Sequence, residues 1–364
     1  ISKTSPNNKL SLWNGLVRAF SIDYRTLALF RICLGGIIFV DLLLRSRDFT
    51  AFFTDQGIIP RKLALNWWPD ATFSLYFING SEFFASVLVG ISLLLALALM
   101  IGYKTRLVTV LSWILLVSLH SRTAILSHGG EDLLRLLLFW GMFLPLGARF
   151  SFDAALETAK PYAKKTLCSV ATFGILMQAM YVYWVGALLK TGNAWQVDHT
   201  AIYYALSLEQ ISNSLGDWVL FNLDFLLPYV TQFVFLIEQY GPLFMLAPFF
   251  LLWLRLPILF LLISMHIGFV LLLNVGFFPF ISLTSLLLFT PKEVWNFIGN
   301  RWVAYRSENL VVYYDQSCDF CLKTVKILKV MLILPNLTVK PAQEDAEAGP
   351  LLEQYDSWVI RKPD

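Results

Sequence analysis

Residues 83–103 read FFASVLVGISLLLALALMIGY, with no charged side chain. About 20 mostly apolar residues cross a bilayer as a helix, and lipid forces each main-chain polar group to find its partner inside that helix. Seven further stretches of this kind occur, at roughly 27–45, 106–126, 132–148, 166–189, 228–250, 254–275 and 277–296. Of the 364 residues, 57% are hydrophobic and 15% charged, where a soluble domain carries about 45–50% and about 25%. The chain therefore reads as an all-α polytopic membrane protein with eight spans. Pro228, Pro242, Pro248 and Pro257 interrupt the text between 216 and 260, which leaves a ninth or re-entrant segment open there. The net charge of +3 is too small for this length to mark a nucleic-acid partner.

Charge then orients the spans. Lys3, Lys9, Arg18 and Arg25 precede the first, Lys104 and Arg106 follow the second, and Arg149, Lys160, Lys164 and Lys165 follow the fourth. Alternate connections are thus basic, which places them and the N-terminus on the cytoplasmic side. The segments 46–82, 127–131 and 190–227 hold most of the acids and histidines and fall outside, although Arg61 and Lys62 weaken the bias in the first. The opening ISKTSPNNKLSLWNGLVRAF lacks a signal-peptide pattern and reads as an amphipathic lead-in to the membrane.

Ionisable groups inside spans are costly and mark functional candidates. Arg31 and Asp41 lie in the first span, His120 in the third, Glu238 in the sixth, and His266 with Asn274 in the seventh. SHGGEDLLR, 127–135, places His128 before a span and Glu131 and Asp132 in its first turn, with Arg135 in reach of both. This is either a helix cap with a local ion pair or the polar floor of an outward pocket. VGALLKTGNAW, 185–195, closes an apolar run on Lys190. Lys190 is either a snorkelling anchor or a base that an apolar pocket partly desolvates. Trp195, Asp198 and His199 follow it, and TAIYYALSLEQISNSL after them is amphipathic, too polar to span, and reads as a lid lying along the interface. Four histidines with no HxxxH or HxH pair make no metal site. Cys33 and Cys168 sit in apolar text as packing residues.

Composition changes near residue 300, dividing the chain into a membrane domain (1–300) and a C-terminal domain (307–364). VVYYDQSCDFCLK and the residues after it read as strand, CxxC turn, helix, strand and acidic loop, the opening of a soluble α/β domain that stops short of a complete fold.

The membrane segment resembles the vitamin K-dependent gamma-carboxylase-like superfamily, also called the HTTM (horizontally transferred transmembrane) domain, through most of 20–296. The resemblance rests on LALFRICLGGIIFVDLLLR with Arg31, Gly35 and Asp41, on TDQGIIP, on IGYKTRL, on HGGEDLLRLLLFWGMFLPLGARFSFDAAL and on YWVGALLKTGNAW. HGGEDLLR and the five-residue step from Lys190 to Trp195 are its most specific parts. It implies an enzyme that oxidises a reduced, vitamin K-like naphthoquinol with oxygen, forming a strong base that abstracts a glutamate proton before carbon dioxide adds. Lys190 then corresponds to the lysine that deprotonates the hydroquinone, His128 to a supporting histidine and His266 to one in a later span. Arg31, Glu131, Asp132, Arg135, Trp195, His199 and Glu238 would line the substrate site, and no metal is implied. The expected setting is a bacterial inner or plasma membrane, with Lys190 and His128 on the outer side. The chain departs from the family where Leu189 precedes Lys190 in place of a lysine, around Asp198 and His199, and in lacking the large lumenal region after the bundle that recruits propeptide-bearing substrates.

The C-terminal segment resembles the start of the DCC-type thiol–disulfide oxidoreductases, thioredoxin-like proteins with an aspartate shortly before CxxC, matched here by Asp315, Cys318 and Cys321. Two functions follow as expectations. One is a quinol-dependent oxidoreductase or carboxylase with Lys190 as base. The other is a non-carboxylating membrane module that binds lipid, quinone or peptide and presents the CxxC arm to a partner protein.

Overall fold

The computed structural model describes residues 12–67, 73–126, 128–157, 165–305, 310–334 and 336–362. The lead-in before residue 12, with Lys3 and Lys9, lies outside them, as do Lys160 and Lys164. Each of the eight apolar stretches is overlapped by a helix: α1 (Tyr24–Arg45), α2 (Glu82–Ile101), α3 (Thr105–Arg122), α4 (Gly129–Gly141), α5 (Val170–Leu189), α6 (Leu227–Met245), α7 (Leu251–Leu272) and α8 (Phe278–Leu287).

Length and hydropathy single out fewer of them. Among the described residues, four helices are long and apolar enough to cross a membrane: α1 with its continuation to Phe53, α2, α5 and α7. Helix α6 makes a fifth if it is joined to Ser214–Asn222, from which it bends by 81°. Helix α4 has 13 residues and α8 has 10. Both end early because their apolar text continues into turns: 142–147 after α4, and the Thr290–Pro291 break after α8. The prolines act unequally. Pro228 opens α6 and Pro248 lies between helices, where a missing N–H costs nothing, while Pro242 and Pro257 lie inside α6 and α7.

Local chemistry sets the ends. Ser81 caps α2 by accepting the Phe84 N–H at 3.3 Å, and Ser169 with Thr172 forms a capping box on α5. Gly102 ends α2 at φ +72°, and a Cβ there would collide with the Arg31 guanidinium, so only glycine serves.

Successive helices from α1 to α8 pack side by side, and α8 closes the bundle against α1 and α4. One apolar core runs through it, from Leu27 and Phe30 to Leu286 and Phe289. Outward positions such as Phe260 (67% exposed) and Trp253 (83% exposed) are apolar too, as a surface facing lipid tails requires.

Two ends result. At one, Arg45 of α1 meets Glu131 of α4, and Arg122 of α3 donates to the Thr54 and Ile59 carbonyls at 3.2 and 2.6 Å. At the other, Asp153 of the short helix Phe152–Leu156 accepts from the Thr105 N–H at 2.8 Å and hydroxyl at 2.6 Å. Arg255 there donates to the Ala19 and Met245 carbonyls at 2.8 and 3.0 Å. A two-stranded pairing of β1 (Ile22–Asp23) with β2 (Thr166–Leu167) closes that end.

Beyond the bundle, a small sheet orders β4 (Thr338–Pro341), β3 (Val311–Tyr314) and β5 (Val359–Arg361), with β3 parallel to β4 and antiparallel to β5. Helix α9 (Asp319–Met331) lies on this sheet through Val325, and α10 (Ala348–Tyr355) occupies the expected acidic loop. Helix α9 also packs against Phe152–Leu156, so this arm stands at the Asp153 end.

Candidate functional site

Lys190 is the residue on which α5 ends. Its ammonium forms an ion pair with Glu238, more than two turns into α6. The indole of Trp195 lies across the same ammonium, 4.3 Å from Nζ to the ring centre, an arrangement worth about 0.5–2 kcal/mol as desolvation increases. The 190–199 turn is tied down by its own polar groups. Gln196 donates to the Lys190 carbonyl at 3.0 Å, and His199 Nδ1 lies 2.9 Å from the Trp195 carbonyl. His199, expected as a substrate ligand, thus holds the turn that carries Trp195. The segment expected as a lid holds two short helices: Ala201–Ser207 packs on α6, and Ser214–Asn222 on α7.

One face of α5 links Lys190 to a second polar group. Tyr183, two turns earlier, places its hydroxyl 2.9 Å from His266 Nε2 of α7. Both are buried, and Glu238 lies close enough for its charge to act on the tyrosine hydroxyl. The His266 ring meets Phe269 and Phe278 edge-on, with centroids 5.4 and 5.7 Å apart. Its Nδ1 is buried and has no hydrogen-bond partner among the described residues. An orphaned ring nitrogen costs about 1–3 kcal/mol, so this atom is where a ligand oxygen gains most. Trp184 braces the helix pair by donating to the Gln239 carbonyl at 3.2 Å.

Phe278 divides this group from a second one. Across it, Arg45 binds Asp41 at 2.8 Å and also Glu131, whose carboxylate lies 3.7 Å from His128 Nδ1. These residues line a cavity of about 20 Å³ with Phe277 and Phe278, enough for one water molecule. Glu131 Oε2 is buried there without a hydrogen-bond partner. Gly130 permits the closeness, since a Cβ would lie 3.0 Å from the Phe278 Cα.

Several expectations need correction. Arg135 was placed in reach of both acids, but it pairs with Asp132 alone, because Glu131 points inward to Arg45. Arg31 joins neither cluster. It lies ten residues before Asp41, about 15 Å along α1, and donates to the Phe150 carbonyl at 2.6 Å at the Asp153 end. His120 is buried in α3, and Asn274 binds the Ser212 carbonyl at 3.2 Å, fastening the lid to the end of α7. Sequence reasoning missed Tyr183, Arg45 and Phe278. The first two carried a signal, seven residues before Lys190 and four after Asp41; Phe278 carried none.

In the arm, Cys318 and Cys321 form a disulfide at the start of α9, where Cys318 Sγ accepts the Cys321 N–H at 3.2 Å. Asp315 holds the preceding turn. The Ser317 amide foremost, with the Ser317 hydroxyl and the Gln343 amide, keeps its carboxyl below the usual carboxylate range. Among the described residues, no group of three His, Cys, Asp or Glu side chains gathers as a metal site. Comparison with family models, with curated proteins and with solved structures returned no match.

Proposed function

We propose that this chain is an integral membrane protein whose Lys190 site binds a reduced quinone and takes a proton from it, in the manner of the gamma-carboxylase-like (HTTM) proteins it resembles. The reading rests chiefly on one observation: a lysine–carboxylate pair under an indole, joined along one helix face to a tyrosine–histidine pair with a free ring nitrogen. The residues suit such a ligand. Trp195, Phe269 and Phe278 offer aromatic walls, and His266 Nδ1 offers a hydrogen bond to a ring oxygen. A reduced quinone, when bound, would supply an acidic hydroxyl and two electrons.

The chain's own groups then have distinct tasks. Lysine works as a base only as the free amine, so Glu238 Oε2 is the site to which Nζ hands its proton before it accepts the next. Tyr183 fixes the His266 tautomer by engaging Nε2, which leaves Nδ1 for the ligand. Trp195 and the lid exclude water, which would otherwise compete at Nζ and quench a reactive product. Glu131, with Arg45, Asp41 and His128, supplies a second proton-holding group beyond Phe278.

By the positive-inside rule, the Asp153 end with Lys104, Arg106, Arg149 and Lys165 faces the cytoplasm, and Lys190 and His128 face outward across a bacterial-type inner membrane. The eight-span count belongs to this reading, with α4 and α8 as shortened spans. Purified protein in nanodiscs, given a reduced naphthoquinone and oxygen, should oxidise it, and Lys190→Met should lower turnover at least about a hundredfold at a temperature where the variant is still folded. Equal turnover in the variant removes the reading.

The disulfide at the head of α9 favours a second activity, thiol–disulfide exchange by the arm on a partner protein. Phe320, 75% exposed between the cysteines, offers that partner an apolar contact. A Cys321→Ser variant should hold partners as mixed disulfides on Cys318, and a variant that traps none argues against it.

A further inference from the structure

A cavity lies away from Lys190, at the Asp153 end, between the bundle and α9. It measures about 750 Å³. Met142 and Phe143 form its apolar floor on the bundle side, and Val330 and Leu334 face them from the arm. Arg106, Arg149 and Lys329 stand around it. None of these three cations has a carboxylate partner within ion-pair distance among the described residues. Two acids share the rim, Asp153 and Glu157. Asp153 is already engaged, accepting from the Lys104 and Thr105 amides and the Thr105 hydroxyl at 2.8, 2.8 and 2.6 Å.

The surroundings continue the pattern. Helix α9 carries Lys323, Lys326 and Lys329 at three-residue spacing, one basic stripe down the helix. Its end exposes Leu328, Met331, Leu332 and Ile333. Phe143 is 56% exposed at the mouth of the cavity. Cations without a carboxylate partner among the described residues, around an apolar floor and beside a basic helix with an apolar tip, match a molecule with an anionic head and hydrocarbon tails.

We propose that this cavity binds one anionic phospholipid, with its phosphate among Arg106, Arg149 and Lys329 and its acyl chains along Met142 and Phe143. The lipid joins the CxxC arm to the end of the bundle and brings the α9 stripe onto the membrane surface. The assignment goes beyond the quinol reading and does not depend on it.

Full-length protein in phosphatidylcholine nanodiscs containing a minority of phosphatidylglycerol, released into neutral detergent, tests it by native mass spectrometry. The expected result is one phosphatidylglycerol retained per chain in preference to phosphatidylcholine. Neutralising each cation should weaken retention about fivefold, and Arg106→Gln/Arg149→Gln/Lys329→Gln together roughly a hundredfold. Arg149→Lys should keep retention near the parent level. Retention is read on variants whose melting temperature in phosphatidylcholine discs is unchanged. If the triple variant misfolds, the exposed single change Arg149→Gln carries the test. Equal retention by the variants, equal retention of phosphatidylcholine, or displacement of the lipid by inorganic phosphate bound at the same cations overturns the proposal.

Discussion

The bundle buries cations against two kinds of partner, main-chain carbonyls at both ends, as Arg122 shows beside Thr54 and Ile59, and carboxylates around Arg45 and Lys190. At the Asp153 end, Arg31 and Arg255 spend their guanidinium protons on main-chain carbonyls: Phe150 for the first, Ala19 and Met245 for the second. At the other end, Arg45 and Lys190 meet buried carboxylates, Arg45 with Asp41 and Glu131, and Lys190 with Glu238. A carbonyl cannot take a proton at any ordinary pH, whereas a carboxylate can. The first arrangement fastens loops to helices, and the second can store and move protons. Charge buried in a span therefore signals chemistry only when its partner can change state.

This contrast can be broken most forcefully at Arg255. Arg255→Ala removes two charge-assisted hydrogen bonds and should cost about 3 kcal/mol of stability, read as unfolding in mixed micelles, with ligand affinity at Lys190 unchanged. A loss of affinity without a loss of stability would collapse the distinction between the two arrangements. Lys190→Met and Glu238→Gln come next. Each leaves a mostly buried partner unpaired and should cost about 2 kcal/mol, below the range for fully buried pairs because the Lys190 side chain is 19% exposed. The double variant should be more stable than the sum of the two predicts, and strict additivity would show that the pair is not coupled.

Tyr183→Phe is a smaller change, about 1 kcal/mol for one neutral hydrogen bond. If the tyrosine sets the His266 tautomer for a ligand, quinone affinity should fall further than stability does; equal losses would make the pair purely structural. The smallest effect concerns pH. The Arg61 side chain holds the Asp55 carboxyl below its usual range in the 54–60 turn that Arg122 grips. A depressed folded-state value stabilises the turn above the ordinary carboxylate range near pH 4, and that contribution disappears as pH falls through the folded value. Hydrogen exchange at the Ile58 amide, bonded to the Ala51 carbonyl at 2.8 Å, should quicken relative to the core only on the acid side. Faster exchange on raising pH from 5 to 8, beyond the intrinsic rise, would contradict this sign.

Much of the architecture was legible in the chain. Apolar runs near 20 residues specify helices that bury their own main-chain polarity, so a helix overlaps each of the eight expected stretches, six of them beginning one to three residues earlier. The strand, CxxC turn and helix of the arm followed from local pattern as well. What composition could not set was length. Apolar residues sit as comfortably in the packed turns after α4 and α8 as in a helix, so α4 and α8 are shorter than the expected stretches. Partners were less legible still. Arg135 and Glu131 are neighbours on one helix turn, yet Glu131 turns to Arg45 because α1 passes beside it.

Lys190 shows the division most directly. By itself the chain determined that a lysine ends an apolar helix five residues before a tryptophan, a local fact carried by helical geometry and hydrophobicity. That Glu238 of α6 pairs with it, and that Tyr183 two turns earlier meets His266 of α7, was decided only by tertiary packing, since contacts between distant segments depend on crossing angles and side-chain volumes that no local pattern encodes.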